Sequence, residues 1–284
     1  MGSSRRGGAI LLSLQPTMSS SPAPLKGRPN TTNNFASFFE SWLAEQNRDL
    51  HSLLTAAAAP PPRTRDEADA RDHHLRPLVS AVLGSYENYY QAKKASARRD
   101  VLPMFSPTWT SSTENLLLWA GGWRPTMVFQ LLYSKCGIQV ESHLEDLIGG
   151  DMTWNLADVD AEQVDRIDKL HQATLKREKE ISEEEASAQE KVADDKMVQL
   201  SHVITEMGGE VGMMEEEMKG KRDAMEEVLR NADSLRIETL KALVEILKPI
   251  QAVHFLIAAA ELHLRVHEFG RKKDKEKEEA APAT

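Results

Sequence analysis

The sequence is poor in cysteine and has no long hydrophobic run. A single cysteine, Cys136, occurs in 284 residues, so an internal disulfide is excluded and a reducing compartment such as the nucleus or cytoplasm is favoured. We expect Cys136 to be a buried, unreactive thiol, because unpaired cysteine usually packs as a small hydrophobe. No stretch of about 18 consecutive apolar residues is present, so no membrane-spanning helix is expected.

Basic residues are also scarce relative to acidic ones. The chain has 35 Lys and Arg residues against 44 Asp and Glu residues, which gives a formal net charge of -9. Proteins that bind nucleic acid by broad phosphate neutralisation concentrate lysine and arginine on one face. The charge balance therefore argues against that class and favours a protein partner or a small ligand.

Familiar catalytic motifs are absent as well. The sequence contains no GxxxxGK[ST] phosphate-binding loop, no GxSxG nucleophile elbow, no HExxH zinc motif and no CxxC pair. Acidic residues are plentiful, but carboxylates on exposed helices are usually solvated, and no spacing identifies a catalytic pair. We therefore do not expect an enzyme.

Helical periodicity dominates residues 35–270. In the first segment, apolar residues recur at steps of three and four from Phe35 to Leu54, and Asn34 is placed to cap the start of this helix. No convincing alternation of apolar and polar residues, which would indicate a strand, occurs anywhere. The pattern predicts an all-α fold, most simply one irregular helical bundle over residues 35–270.

Proline and charge divide this bundle into segments. Three consecutive prolines predict a linker after the first helix, and a second helix is expected from about Arg76 to Arg99, with Pro77 in its first turn. Eight acids against two lysines between Glu178 and Asp195 predict a long acidic helix with an exposed face. Pro249 is expected to break or bend the apolar region that follows.

Both ends of the chain differ in composition from the bundle. Residues 1–34 contain no acid and are rich in Ser, Pro and Asn, which is typical of a disordered extension and also loosely resembles an organelle transit peptide. At the other end, we expect Gly270 to end the last helix and residues 271–284 to form a charged, disordered tail.

A corner element stands out in the stretch STENLLLWAGGWRPTMVFQLLY. The pair Gly121 and Gly122 is expected to stop a short helix, and Pro125 to start the next one at its first position. Glycine after one helix and proline at the first position of the next predict a tight helix-loop-helix corner, lined by Trp119 and Trp123.

Two histidines near the end of the last apolar helix are candidates for ligand binding. His263 and His267 are four residues apart and therefore project from the same side of one helix. Such a pair could chelate a divalent metal side by side, or be merely polar and exposed near a helix end, where the dipole favours a protonated imidazole. His254 lies about half a turn out of phase and is not expected to share their site.

Several segments together resemble a known plant family. FFESWL, YENYYQAK, PTWTSSTENLLLWAGGWRPTMVFQLLY, ADSLRIETLKALVEILKPIQAVHFLIAA and ELHLRVHEFG follow one another in the order found in the Delay of Germination family. The same domain forms the C-terminal half of the TGA class of bZIP transcription factors. The resemblance covers most of residues 35–270. Its most specific element is carried by Trp109, Glu114, Trp119, Gly121, Gly122, Arg124 and Pro125.

The resemblance implies a regulatory function. Only about 34 residues precede the domain, and they contain no basic helix or heptad repeat, so DNA binding by the bZIP route is not expected. The chain is similar to members without a zipper, which implies regulation of seed dormancy and maturation in abscisic-acid signalling, self-association, binding of type 2C protein phosphatases and haem binding, in nucleus and cytoplasm. The alternative is a transcriptional regulator or cofactor that acts through TGA-type factors, with their sequence-specific DNA binding, or by an unconventional DNA contact.

The resemblance also assigns roles to particular residues. The phosphatase contact would involve the first helix at Phe38, Phe39, Trp42 and Leu43, although a helix this apolar also suits the core. Haem would be bound at His263 and His267. Because one helix cannot supply both faces of a haem, one histidine would be the axial ligand while the other orients it or replaces it. At the corner, Glu114 and Arg124 are expected to pair and to fix the angle between two helices.

Overall fold

Helices form the regular secondary structure of the residues described by the structure, a computed structural model that covers 31–142, 158–207 and 211–280. The all-α prediction is confirmed. The helices are α1 (Thr31–Ala57), α2 (Arg65–Ala97), α3 (Leu102–Phe105), α4 (Ser112–Leu116), α5 (Met127–Ser142), α6 (Ala161–Glu190), α7 (Asp195–Met207), α8 (Val211–Ile246) and α9 (Pro249–Ala280). Residues 1–30, which hold most of the predicted N-terminal extension, lie outside the described residues. The last part of that extension, residues 31–34, belongs to α1.

The linker between α1 and α2 is shorter than predicted. Helix α2 begins at Arg65 because Thr64 caps it, with the Thr64 hydroxyl accepting a hydrogen bond from Glu67 N–H at 3.2 Å. Acidic residues in the first turn complement the helix dipole. Pro77 consequently lies inside the helix and not in its first turn.

The long acidic helix α6 is stabilised by a capping box at its N-terminus and by a few buried side chains. Asp160 and Gln163 form a capping box, in which each side chain binds the backbone N–H of the other residue. The acids are mostly on the solvent side, while Ile181 is fully buried where α6 packs along α8. Glu178 is an exception, since this acid is buried.

Helix α9 does not end at Gly270. Its C-terminal part continues to Ala280, so residues 271–280 of the predicted disordered tail are helical. The carboxylate of Asp274 accepts hydrogen bonds from Ser112 N–H at 2.8 Å and from the Ser112 hydroxyl. This contact fixes the last turns of α9 against the start of α4, and it could not be recognised from the local sequence. The break at Pro249, by contrast, is confirmed.

The main hydrophobic core lies between α1, α2, α5, α6, α8 and α9. A second cluster surrounds the aromatic residues at the start of α1, and a third lies beneath the corner. Cys136 is half-buried, not fully buried, and burial raises the pKa of its thiol. Within the described residues, no helix combines the length and apolarity needed to cross a membrane.

Candidate functional site

The corner between α4 and α5 is held by a fully buried arginine. Trp119 and Gly122 exchange two backbone hydrogen bonds across the turn. Beneath them, Arg236 of α8 donates to the carbonyl oxygens of three corner residues, Trp119, Ala120 and Trp123. The guanidinium thereby satisfies backbone acceptors that have no helical partner.

A second buried cation supports the same turn. Lys93 Nζ lies 2.8 Å from Gly121 O and 2.9 Å from Asp233 Oδ1, and Asp233 also pairs with Arg236. Burial lowers the pKa of Lys93 to about 8, although Asp233 opposes this change. Gly121 has a φ of 71°, and a Cβ there would lie 2.7 Å from Leu229 Cδ1. The turn therefore requires glycine both for its conformation and for the close approach of α8.

The predicted ion pair between Glu114 and Arg124 does not form. Arg124 lies 3.6 Å from Glu178 of α6 and over the ring of Trp119, 5.5 Å from its centroid. Glu178 also accepts a hydrogen bond from Thr126 N–H at 2.6 Å. The prediction was wrong because α6, which is remote in sequence, brings its own carboxylate to the corner.

Glu114 instead forms a buried polar cluster with α9. Ser111 and Glu114 make a capping box at the start of α4, and His267 Nδ1 lies 2.9 Å from the same Glu114 oxygen that accepts from Ser111. Burial raises the pKa of Glu114, but hydrogen bonds from His267 and Ser111 outweigh it and lower that pKa overall. Glu114 is therefore ionised at neutral pH, and His267 Nδ1–H donates to it.

His263 has different partners from His267. Its Nδ1 lies 2.7 Å from Gln46 Oε1, and the Gln46 amide nitrogen donates to the Tyr86 hydroxyl at 3.0 Å. Because an amide oxygen only accepts, His263 Nδ1 carries the proton. Burial lowers the pKa of His263 to about 4, although Glu114 opposes this, so the ring is neutral at pH 7. Its Nε2 is 4.0 Å from Glu114 Oε1, too far for a hydrogen bond, which leaves the Nε2 lone pair available to a ligand.

The two histidines are thus neither exposed nor at a helix end. Helix α9 continues for several turns beyond them, and the side chain of His267 is largely buried. Among the described residues, no group of three or more His, Cys, Asp or Glu side chains could hold a metal ion, so the side-by-side metal site lacks further ligands there. His254 is not the hydrogen-bond partner that Nδ1 of either ring binds, and burial lowers its pKa.

The four residues of α1 expected to contact a phosphatase are mostly buried. Phe39, Trp42 and Leu43 are 2%, 6% and 8% exposed and pack in the aromatic cluster. Phe38 is half-buried, with its ring stacked on Tyr89 at a centroid distance of 6.5 Å. Three of the four therefore belong to the core, and Phe38 retains accessible surface.

A cavity of about 280 Å³ lies between α1, α2, the corner and α9. We call it the corner cavity. Its walls are mainly apolar, and Glu114 also reaches it, whereas His267 does not. The residues that define it here are Trp42, Tyr86, Trp109, Leu118, Leu262 and His263.

Known proteins share this arrangement of segments. The family model described as "DOG1: Seed dormancy control" matches residues 47–134, which run from α1 through the corner into α5. "Protein DOG1-like 3" of Arabidopsis thaliana is 32% identical over 250 residues, which cover 84% of this chain and 84% of that protein. The chain belongs to the DOG1 family. The resemblance seen in the sequence is therefore confirmed.

Two further relatives of this DOG1-family protein carry informative names. "Protein RESPONSE TO ABA AND SALT 1" of Arabidopsis thaliana is 30% identical over 249 residues, covering 84% of this chain and 97% of that protein. "Transcription factor TGA2.3" of Oryza sativa subsp. japonica is 27% identical over 230 residues, covering 80% of this chain but only 61% of the rice protein. The domain is therefore shared with TGA transcription factors.

Sequence reasoning missed three polar residues of this DOG1-family site, namely Lys93, Arg236 and Gln46. Each occupies a position in the apolar stripe of its helix. Arg236, for example, stands between Ala232 and Leu240 at four-residue spacing, and both of these neighbours are buried. A charged or amide side chain in such a stripe is the signal that could have found them, because buried polar groups need partners.

Proposed function

We propose that this protein is a non-enzymatic regulator of seed dormancy and maturation in abscisic-acid signalling, and that it acts by binding type 2C protein phosphatases in nucleus and cytoplasm. Membership of a seed dormancy family supports the first part. The name of the relative "Protein RESPONSE TO ABA AND SALT 1" supports the link to abscisic acid.

The observation that carries the phosphatase contact is the accessible aromatic at the start of α1. Phe38 keeps part of its ring exposed, and exposed Ser37 and Ser41 lie beside it on the same helix. A half-exposed aromatic side chain suits an anchor that a partner can cover, because aromatic residues are enriched at interfaces and among the residues that dominate binding. Phe39, Trp42 and Leu43 would act indirectly, because they hold α1 in place.

We expect Phe38→Ala to weaken binding of a purified type 2C phosphatase about tenfold or more, since aromatic anchors dominate such interfaces. Ser41→Arg, one turn away on the exposed face, should weaken it comparably without touching the core. Thr55→Arg is the matched control, because Ser41 and Thr55 are both exposed and both donate to the carbonyl four residues earlier. Isothermal titration calorimetry measures the effect. Equal binding by Ser41→Arg and Thr55→Arg would contradict a contact through this face.

We also propose that His263 would hold haem through its Nε2 when haem binds. The donor chemistry fits one ligand, because the Nε2 lone pair of His263 is available while Gln46 orients the ring through Nδ1. His267 fits less well, since its Nδ1 is committed to Glu114 and its ring packs on Phe39. Bound haem would supply a coloured, redox-active iron, and this chain would hold it through His263.

Titration with haem, followed by the Soret band, tests this assignment. We expect His263→Ala to weaken binding more than tenfold, since it removes the axial donor. His267→Ala should retain most of it. His254→Ala is the control, as a partly buried histidine of the same helix that lies outside the corner cavity. An unchanged spectrum in the double variant His263→Ala with His267→Ala would remove both residues from the site.

A transcriptional function remains the second candidate, because TGA transcription factors share the domain. A net charge of -9 disfavours a direct grip on DNA, so this function would run through a complex with a TGA-type factor. Electrophoretic mobility shift with a TGA site, with and without that factor, separates the two proposals. Supershift of the complex would favour the transcriptional function, and its absence together with phosphatase binding would favour the first.

A further inference from the structure

One residue that lines the corner cavity carries a buried hydrogen-bond donor with no acceptor in the part of the chain that the structure describes. Trp42, which lines the cavity, is 6% exposed, and its indole Nε1 has no hydrogen-bond partner among the described residues. Buried donors are nearly always paired, because leaving one unpaired forfeits its interaction with water. An unpaired N–H in the wall of a cavity is therefore suited to a ligand that carries an acceptor.

Charges around the cavity restrict what that ligand can be. Glu114 is ionised and reaches the cavity, so it disfavours a carboxylate or phosphate there. Lys93 also lines the cavity, but its charge is paired with Asp233 at 2.9 Å. His263 is neutral and presents an unprotonated Nε2. An ammonium group cannot accept a hydrogen bond from Trp42, so the remaining class is neutral.

The size and the apolar walls of the cavity further restrict the class of ligand that it can bind. A volume of about 280 Å³ lies just below the usual range for pockets that hold drug-sized molecules. The walls are mainly apolar, and three of the lining residues, Leu117, Met127 and Leu262, are also exposed to solvent. These side chains make an apolar entrance, so a small hydrophobic molecule can reach the interior without losing contact with apolar surface.

We propose that the corner cavity binds a compact, neutral, apolar molecule whose carbonyl oxygen accepts a hydrogen bond from Trp42 Nε1. Such a ligand is smaller than a porphyrin. The bound ligand would contact α1, α2, the corner and α9. Its affinity would therefore depend on the position of α1. The proposal is argued from Trp42 and from the charges around the cavity, so it does not require phosphatase or haem binding, although His263 lines the same cavity.

Three naphthalene derivatives of nearly equal size test the proposal. Methyl naphthyl ketone has the neutral acceptor, ethylnaphthalene lacks an acceptor, and naphthoate carries a negative charge. We expect the ketone to bind the full chain about three- to tenfold more tightly than ethylnaphthalene, as one additional hydrogen bond implies, and naphthoate to bind most weakly. Isothermal titration calorimetry at neutral pH measures all three.

Three variants test whether the preference for the ketone over ethylnaphthalene arises in the corner cavity. Trp42→Phe keeps an aromatic side chain but removes the N–H donor, so the ketone should lose its advantage over ethylnaphthalene. Leu262→Glu places a charge at the entrance and should abolish binding of both. Leu54→Glu is its control, because Leu54 is an exposed leucine outside the cavity, with an exposed fraction of 42% against 46% for Leu262.

A second measurement uses the unmodified chain, so it tests the proposal even if Trp42→Phe fails to fold. The chain has five tryptophans, and their indole N–H signals can be followed by nitrogen-15 correlation spectroscopy. The ketone should shift one of these signals strongly downfield, and ethylnaphthalene should not. The proposal is overturned if no probe binds, if naphthoate binds most tightly, or if the ketone moves no indole N–H signal beyond the shift caused by ethylnaphthalene.

Discussion

Replacement of Arg236 by methionine is expected to lower the free energy of unfolding by about 3 to 5 kcal/mol. The methionine would fill much of the space of the arginine stem, so the loss comes from polar groups. The carbonyl oxygens of Trp119, Ala120 and Trp123 would lose their buried donor. Asp233 would keep Lys93 as its remaining buried cation. Trp119 O would keep the bond from Gly122 N–H, but the carbonyl oxygens of Ala120 and Trp123 would be left unsatisfied in one turn, and unsatisfied buried acceptors are costly.

Urea denaturation followed by tryptophan fluorescence measures this loss, because Trp119 lies directly over the guanidinium, with 5.3 Å from the Arg236 Cζ to the ring centroid. Arg230→Met is the matched control on the same helix. Arg230 is exposed and pairs only with exposed Glu227 in the described contacts, so its loss should stay within about 0.5 kcal/mol. Equal midpoints and slopes for the two variants would refute the view that Arg236 holds the corner together.

Local features of the fold could be predicted from the sequence because they depend on neighbours a few residues away. The buried stripe that begins with Phe35 and Phe39 follows from helical spacing, and the new helix at Pro249 follows from the geometry of proline. The start of α2 at Thr64 was also local, since Thr64 and Glu67 have the spacing of a helix cap. The three prolines just before it are a local signal for a linker, so the sequence alone placed the start of α2 too late.

Features of the site that join distant segments could not be predicted in this way. The spacing of His263 and His267 places them on one side of α9, but their different roles depend on what faces them. Gln46 is 217 residues from His263 in sequence, and Glu114 is 153 residues from His267. Nothing in the local sequence indicates that one ring is oriented by an amide and the other is bound to a carboxylate.

The error at Glu114 has the same origin. Glu114 and Arg124 are ten residues apart on either side of a turn, so a mutual ion pair was the simplest expectation from sequence. In the folded chain, α9 offers His267 to Glu114 and α6 offers Glu178 to Arg124. Glu114 therefore joins the corner to α9, and Arg124 joins it to α6. The signature of the family is better explained as an assembly point for several helices than as a pair of residues fixing one angle.

Gly270→Ala is expected to destabilise the protein by about 1 to 3 kcal/mol, although glycine to alanine usually stabilises a helix interior. A Cβ at Gly270 would lie 2.1 Å from Ser111 Oγ and 2.6 Å from Ser111 Cβ. Ser111 cannot readily move aside, because it is fully buried and forms the capping box with Glu114. The end of α9 would have to move away, which would weaken the bonds from His267 to Glu114 and from Ser112 to Asp274.

Gly84→Ala provides the opposite control, since Gly84 lies inside α2 and a Cβ there would meet nothing within 4 Å. It should stabilise the protein by about 0.5 to 1 kcal/mol. Urea denaturation gives both values, and hydrogen exchange should show faster exchange only beyond Gly270 in the Gly270→Ala variant. If both alanine variants stabilise the protein, α9 does not pack against α4 as described. A destabilised Gly270→Ala variant with early exchange at the end of α9 would instead mean that Gly270 allows close packing and does not end the helix. Close packing would then explain why a glycine that resembles a helix stop signal lies within a continuing helix.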